Sequence, residues 1–190
     1  MTDPFESPTK SRKVLVPVDG SPDSERAFTW YVANMKQDSD IVRVFHIPEP
    51  ISLPLFTLSE GVNTPFKKWE NKLQDKLKKV TELEAHYNYK LISCKLASNG
   101  SVLISQNEVT GKENMATEIC QEADKFEADM IVMASTGWGG VKNKLLKGGG
   151  VANFVVQMAL LPVMLVPTAK NEARMQERRA SIRRDSNCST

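Results

Sequence analysis

Short, nearly all-apolar runs alternate along the chain with longer stretches of helical period. "KVLVPVD" (Lys13–Asp19) is apolar at successive positions and ends in turn chemistry, the pattern of a strand buried on both faces. Ser21 then suits a helix cap, with Pro22 at the first helical position and Asp23 and Glu25 in the first turn. Ala27, Trp30, Tyr31 and Asn34 fall on one stripe of that helix. "DIVRVFHI" (Asp40–Ile47) reads as a second strand, stopped by Pro48 and Pro50, and a proline-rich loop follows. From Phe66 the spacing of Trp69, Leu73, Leu77, Val80 and Leu83 predicts a helix, with lysines on its solvated positions. "YKLISCKLAS" (Tyr89–Ser98) reads as the third strand, and Asn99-Gly100 as a turn into a short hairpin with "SVLIS". A helix at Asn114–Lys125, a strand in "ADMIVMAS", a helix in "VANFVVQMAL" and a fifth strand in "PVMLVP" (Pro162–Pro167) complete the core.

Strands apolar on both faces, alternating with helices, imply an α/β fold: a parallel sheet with helices on both faces and right-handed crossovers. Ligands in such sheets sit at the carboxyl ends of the strands, where the strand order reverses. Two pieces of sequence point to that edge. One is "VDGS" after the first strand, and the other is "ASTGWGGVKNKLLKGGGV", which holds six of the ten glycines.

Composition narrows the classes. The 190 residues suffice for one domain with a sizeable core, expected at 13–167, with 1–12 and a basic tail at 168–190 expected to be disordered. No apolar run reaches the roughly 18 residues of a membrane span. Residues 1–12 lack the apolar centre of a secretion signal, so the expected setting is the cytoplasm, with the nucleus still open. Cys94, Cys120 and Cys188 show neither metal nor redox spacing. The formal net charge is +2; the tail after Thr168 carries +3 and leaves the body at −1. A body so close to neutral argues against nucleic acid as partner.

Nucleotide signatures can be tested on the glycine-rich loops. Gly111-Lys112 is followed by Glu113 and preceded at the required place by Gln106, so it is no Walker A loop. Gly137 and Gly139 would need a third glycine at Lys142, so the dinucleotide fingerprint fails as well. The pieces "KVLVPVDGSPDSERAF", "VFHIPEP", "ADMIVMASTG" and "GGGVANFVVQMALLPVMLVP", in this order, instead resemble the universal stress protein family. That resemblance implies a flavodoxin-like, Rossmann-like five-stranded parallel sheet of order 3-2-1-4-5, and dimers formed through the last strand. It also implies ATP binding in some members, through Gly-x2-Gly-x9-Gly-Ser/Thr after the fourth strand.

Carried over position by position, the resemblance puts Asp19 at the acidic position, preceded by Pro17 and Val18, and Ile47 at the adenine wall. Anchored on the fourth strand, Met133 is followed by Ala134 at the first motif glycine and Gly137 at the second; Gly149 is the last, and Gly150 replaces the hydroxyl residue. A shifted alignment through Gly137, Gly140 and Gly150 restores the spacing but puts Val151 where the hydroxyl belongs. The loop is thus an altered phosphate cradle, in which the loss of one neutral donor weakens binding roughly five-fold. The expected ligand is ATP, with Mg as its companion, at a weak or altered site.

Nothing points to catalysis. His46 and His86 belong to no triad or metal spacing, and Asp19 is the one carboxylate placed to meet a nucleotide-bound Mg, so slow hydrolysis is the most that is expected. The expected function is therefore a non-catalytic, nucleotide-binding stress or signalling module, homodimeric through the strand at 162–167. The alternative is a nucleotide-free adaptor controlled through its tail. Arg178-Arg179-Ala180-Ser181 and Arg183-Arg184-Asp185-Ser186 match the pattern of basophilic kinases, making Ser181 and Ser186 candidate phosphorylation sites.

Overall fold

A computed structural model describes residues 11–51, 63–96, 100–107, 109–135 and 150–187. Ten elements follow in the order β1 (Lys13–Val18), α1 (Pro22–Asn34), β2 (Ile41–His46), α2 (Asn63–Ser93), β3 (Gly100–Ile104), α3 (Lys112–Phe126), β4 (Met130–Ala134), α4 (Val151–Met158), β5 (Val163–Val166) and α5 (Ala169–Asn187). The five strands form one sheet of order β3-β2-β1-β4-β5, and every pairing in it is parallel. This is the flavodoxin-like order, with the reversal between β1 and β4.

Side-chain alternation along the strands divides the core in two. Val14, Val16 and Val18 of β1 pack with Ala27, Phe28 and Tyr31 of α1 and Tyr87 and Leu91 of α2. Leu15 of the same strand packs with Phe45 and Ile47, with Ala116, Ile119 and Ala123 of α3, and with Val151 and Val155 of α4. Helix α1 begins as its sequence dictates. The Ser21 hydroxyl accepts from the Ser24 N–H at 3.2 Å, Pro22 follows, and Asp23 and Glu25 sit in the first turn.

Three expectations need correction. Tyr89–Ser93, read as part of the third strand, is the last turn of α2. Tyr87 and Leu91 point inward at helical spacing, while Tyr89 and Ile92 are 71% and 65% exposed. The stop signal is hidden because a lysine does what glycine usually does. Lys95 takes φ 58°, and the Lys95 and Leu96 N–H groups close on the Ile92 and Leu91 carbonyls at 3.1 and 2.8 Å. This is a Schellman ending, with buried Leu96 folded back beside Leu91. The third strand is therefore Gly100–Ile104, and it pairs parallel with β2 rather than forming a hairpin. The tail expected to be disordered forms α5 as far as Asn187. Its Ala, Arg, Glu, Gln and Met content favours helix. Thr168 caps it by accepting from the Asn171 N–H at 3.2 Å, and Arg26 ties it to the body through Glu172.

Candidate functional site

Because β1 and β4 are parallel neighbours, both end at the same sheet edge. The connection from β4 to the parallel β5 must return to the opposite edge, so α4 starts near the carboxyl ends and runs back. Three features therefore share one edge: the turn after Val18, the residues after Ala134, and the N-terminus of α4.

At the first, Val18 is fully buried and Asp19 is half-buried beyond it. The Asp19 carboxylate accepts from the Ser21 N–H at 3.0 Å, and its own N–H donates to the Ser24 hydroxyl at 3.4 Å. Gly20 between them adopts φ 76°, a conformation that only glycine takes readily, and a Cβ there would lie 3.2 Å from Cδ1 of Leu83. The turn is thus held by its own hydrogen bonds and pressed from outside by α2. Pro17 is buried in β1 opposite Phe45.

At the second, Met133 and Ala134 are buried, on opposite faces of the sheet. Ser135 follows. Its N–H donates to the Val166 carbonyl at 2.9 Å, while its hydroxyl oxygen is buried with no hydrogen-bond partner. At the third, Gly150 caps α4 with φ −65° and ψ 174°, no side chain satisfies the first N–H groups, and a Cβ on Gly150 would meet nothing within 4 Å. Val151 is buried just inside, and Ile47 is buried past the end of β2 among the same α3 and α4 side chains. The Asn153 N–H is met by the Gly150 carbonyl at 3.0 Å, so what the helix start offers an anion is the positive end of its dipole and the N–H groups that no side chain caps.

The fold thus gathers Pro17, Val18, Asp19, Ile47, Met133, Ala134, Gly150 and Val151 at the carboxyl edge. Gly137, Gly140 and Gly149 lie outside the described residues. Ser135 was missed by sequence reasoning, although a hydroxyl directly after a buried strand at the reversal point was its signal. Beside this edge, His46 is buried, and its Nδ1 lies 2.8 Å from the Val18 carbonyl. A carbonyl can only accept, so Nδ1 carries the proton and Nε2 is the ring's acceptor. Burial, assisted by Lys76, lowers the pKa of His46 against the opposing pull of the Val18 carbonyl, Asp19 and Glu49. Among the described residues no group of His, Cys, Asp and Glu is arranged to hold a metal ion, and no helix is long and apolar enough to cross a membrane.

The model of the universal stress protein family matches residues 10–167. The chain belongs to that family. It is 32% identical over 162 residues to Universal stress protein MJ0531 of Methanocaldococcus jannaschii, covering 85% of each chain. Among solved structures, the universal stress protein UspA from Lactobacillus plantarum superposes with a TM-score of 0.57 at 18% identity, covering 82% of this chain and 97% of that one. The hypothetical protein MJ0577 superposes with a TM-score of 0.54 at 23% identity, covering 83% and 96%. At these identities the structural likeness speaks for the shared fold.

Proposed function

We propose that this universal stress protein is a non-catalytic nucleotide-binding module whose ligand lies across the carboxyl edge between β1 and β4. The observation that carries the reading is the convergence there of a carboxylate, Asp19, an unpartnered hydroxyl, Ser135, and an uncapped helix start at Gly150. A carboxylate accepts from ribose hydroxyls, while free N–H groups and a hydroxyl donate to phosphate. Ile47 and Met133 are buried in the core just beneath this edge and form the apolar floor of the sheet there. ATP, with Mg bound to its phosphates, is the ligand this arrangement suits, and the cytoplasm is the setting in which it would meet it. No base is paired with a nucleophile at this edge among the described residues, so the module works by binding rather than turnover.

A homodimer through β5 accompanies this reading. The sheet ends at β5, and Leu160 and Val156 beside it are 96% and 48% exposed. Calorimetric titration with Mg-ATP tests the site. Saturable binding that Asp19→Ala weakens at least ten-fold supports it; no heat and no thermal shift at millimolar Mg-ATP rejects it. The adaptor reading draws support from α5, where Ser181 is exposed and donates to the Arg178 carbonyl at 2.9 Å. A basophilic kinase would have to open that turn to reach it.

A further inference from the structure

A cavity of about 990 Å³ opens at the carboxyl edge between the start of α1, the exit of β2 and one face of α2, and both Asp19 and His46 line it. The pairing of β1 with β2 brings these two together. Val18 and His46 are register partners, so the turn that carries Asp19 leaves β1 beside the His46 ring.

His46 is a buried polar side chain with bonding capacity left over. It is 9% exposed, and its Nδ1 proton is committed to the Val18 carbonyl at 2.8 Å. That bond fixes the ring and leaves the lone pair of Nε2 as its acceptor. No described residue bonds Nε2. Nor is this atom sealed in the core. Among the described residues, the unpartnered side-chain atoms cut off from solvent are Arg43 Nε, Trp69 Nε1 and the hydroxyl oxygens of Tyr87 and Ser135. The Tyr87 hydroxyl thus offers a ligand nothing, whereas His46 Nε2 opens into the cavity that the residue lines. Burial lowers the pKa of the ring, which keeps it neutral at pH 7.

The charged groups nearby decide what can approach this atom. Glu25 is already engaged by His86 and Lys90. Of the groups whose charge reaches His46, Asp19 and Glu49 only accept hydrogen bonds, and Lys76 alone donates. A phosphate oxygen would meet two carboxylates and a lone pair here. A hydroxyl, which can donate, meets acceptors. The Asp19 carboxylate accepts from the Ser21 N–H and, having about four acceptor positions, can take a further donor.

We infer that His46 recognises the sugar of the bound nucleotide: its Nε2 accepts a hydrogen bond from one ribose hydroxyl while the Asp19 carboxylate accepts from the other. The inference rests on the nucleotide reading and adds a choice to it, ribonucleotide over deoxyribonucleotide. The order of the strands agrees. With phosphate at the start of α4 beside β4, the sugar falls at the ends of β1 and β2, where Asp19 and His46 stand.

Calorimetric titration of the full chain with Mg-ATP, Mg-2′-deoxy-ATP and Mg-3′-deoxy-ATP tests this in the native protein, His46→Asn and His46→Phe. Asparagine keeps a donor for the Val18 carbonyl but does not reach the place of Nε2. Phenylalanine keeps the ring and lacks both nitrogens, so either variant that folds supplies the answer. We expect one of the two deoxy nucleotides to bind the native protein about five-fold more weakly than ATP, the effect of one neutral hydrogen bond. In the variants ATP and that analogue should bind equally. Three results overturn the inference and leave the nucleotide reading standing: equal affinity of the native protein for all three nucleotides, an unchanged ratio of ATP to deoxy affinity in the variants, or a changed ratio of Mg-ATP to Mg-ITP affinity in place of the sugar ratio. No binding of Mg-ATP to the native protein overturns both.

Discussion

Replacing Asp40 offers the sharpest test of what holds the amino edge of this sheet. Its side chain is fully buried and accepts four hydrogen bonds: from Arg12 Nε at 3.1 Å and Nη2 at 2.8 Å, from the Tyr31 hydroxyl at 2.5 Å, and from the Gln37 N–H at 3.0 Å. Together these join the segment before β1, helix α1 and the turn into β2. Asp40→Ala strands the Tyr31 hydroxyl in the core and leaves Arg12 without its counter-charge. Removing one partner of a buried pair costs about 3–5 kcal/mol. Arg12 retains 23% side-chain exposure and its bond to the Met35 carbonyl, so the lower end of that range applies. Tyr31→Phe removes one hydrogen bond to a charged group and should cost about 1.5–3 kcal/mol. The double variant should lose clearly less than the two single losses added, because the stranded hydroxyl is then absent.

Urea unfolding of the four proteins at pH 7 measures these values. A loss below about 1 kcal/mol for Asp40→Ala, or strict additivity, would refute the reasoning. The same cluster fixes a pH dependence. Burial raises the Asp40 pKa, but the bonds from Arg12, Tyr31 and Gln37 outweigh it and bring the net value below the ordinary one. The folded state therefore holds the ionised form more tightly than the unfolded chain does. The stabilisation is fully present above about pH 4 and is lost as pH falls through the folded pKa. Asp40→Asn should flatten that acid limb.

Other outcomes can be checked with simpler assays. Gly20→Ala forces a side chain into φ 76° and against Leu83, and should lower stability by about 1–2 kcal/mol in thermal unfolding. Leu160→Glu together with Val156→Glu changes only exposed positions, so it should leave the melting temperature unchanged while shifting a β5 dimer to monomer in light scattering. A basophilic kinase should modify Ser181, and Arg178→Ala with Arg179→Ala should prevent this without altering Mg-ATP affinity, since α5 meets the body through Arg26 and the carbonyl of Pro167.

Four of the five strands and the turn at Ser21 were legible because each is decided locally, by runs of apolar residues or by a cap and a proline. The third strand was not. In Tyr89–Ser98 the apolar residues crowd together without resolving strand from helix, and the helix stop at Lys95 lacks the glycine that normally announces it. Only the packing of Tyr87, Leu91 and Leu96 against β1 and β2 settles the register. The tail shows the same limit, for Thr168 and the Arg26–Glu172 pair act only once β5 has delivered the chain beside α1. At the carboxyl edge, Asp19 and Gly150 could be read from spacing and resemblance. The unpaired state of the Ser135 and Tyr87 hydroxyls could not, since a partner's absence is a property of three dimensions.

Restoring the family's hydroxyl at Gly150 separates a phosphate cradle from a mere connection. Gly150 has φ −65°, which any residue adopts, and a Cβ there enters open space, so Gly150→Ser meets no steric cost. Two gains follow by separate routes. Serine at this position accepts from the second or third N–H of α4 and restricts the unfolded chain, which together raise stability by a few tenths of a kcal/mol to about 1 kcal/mol. If phosphate lies at this helix start, the hydroxyl also donates to it and should raise Mg-ATP affinity about five-fold. A variant that gains stability but binds no more tightly would place the phosphates elsewhere. A variant that gains both, with the affinity gain lost again in Asp19→Ala, would fix the two ends of one ligand, ribose on Asp19 and phosphate on α4.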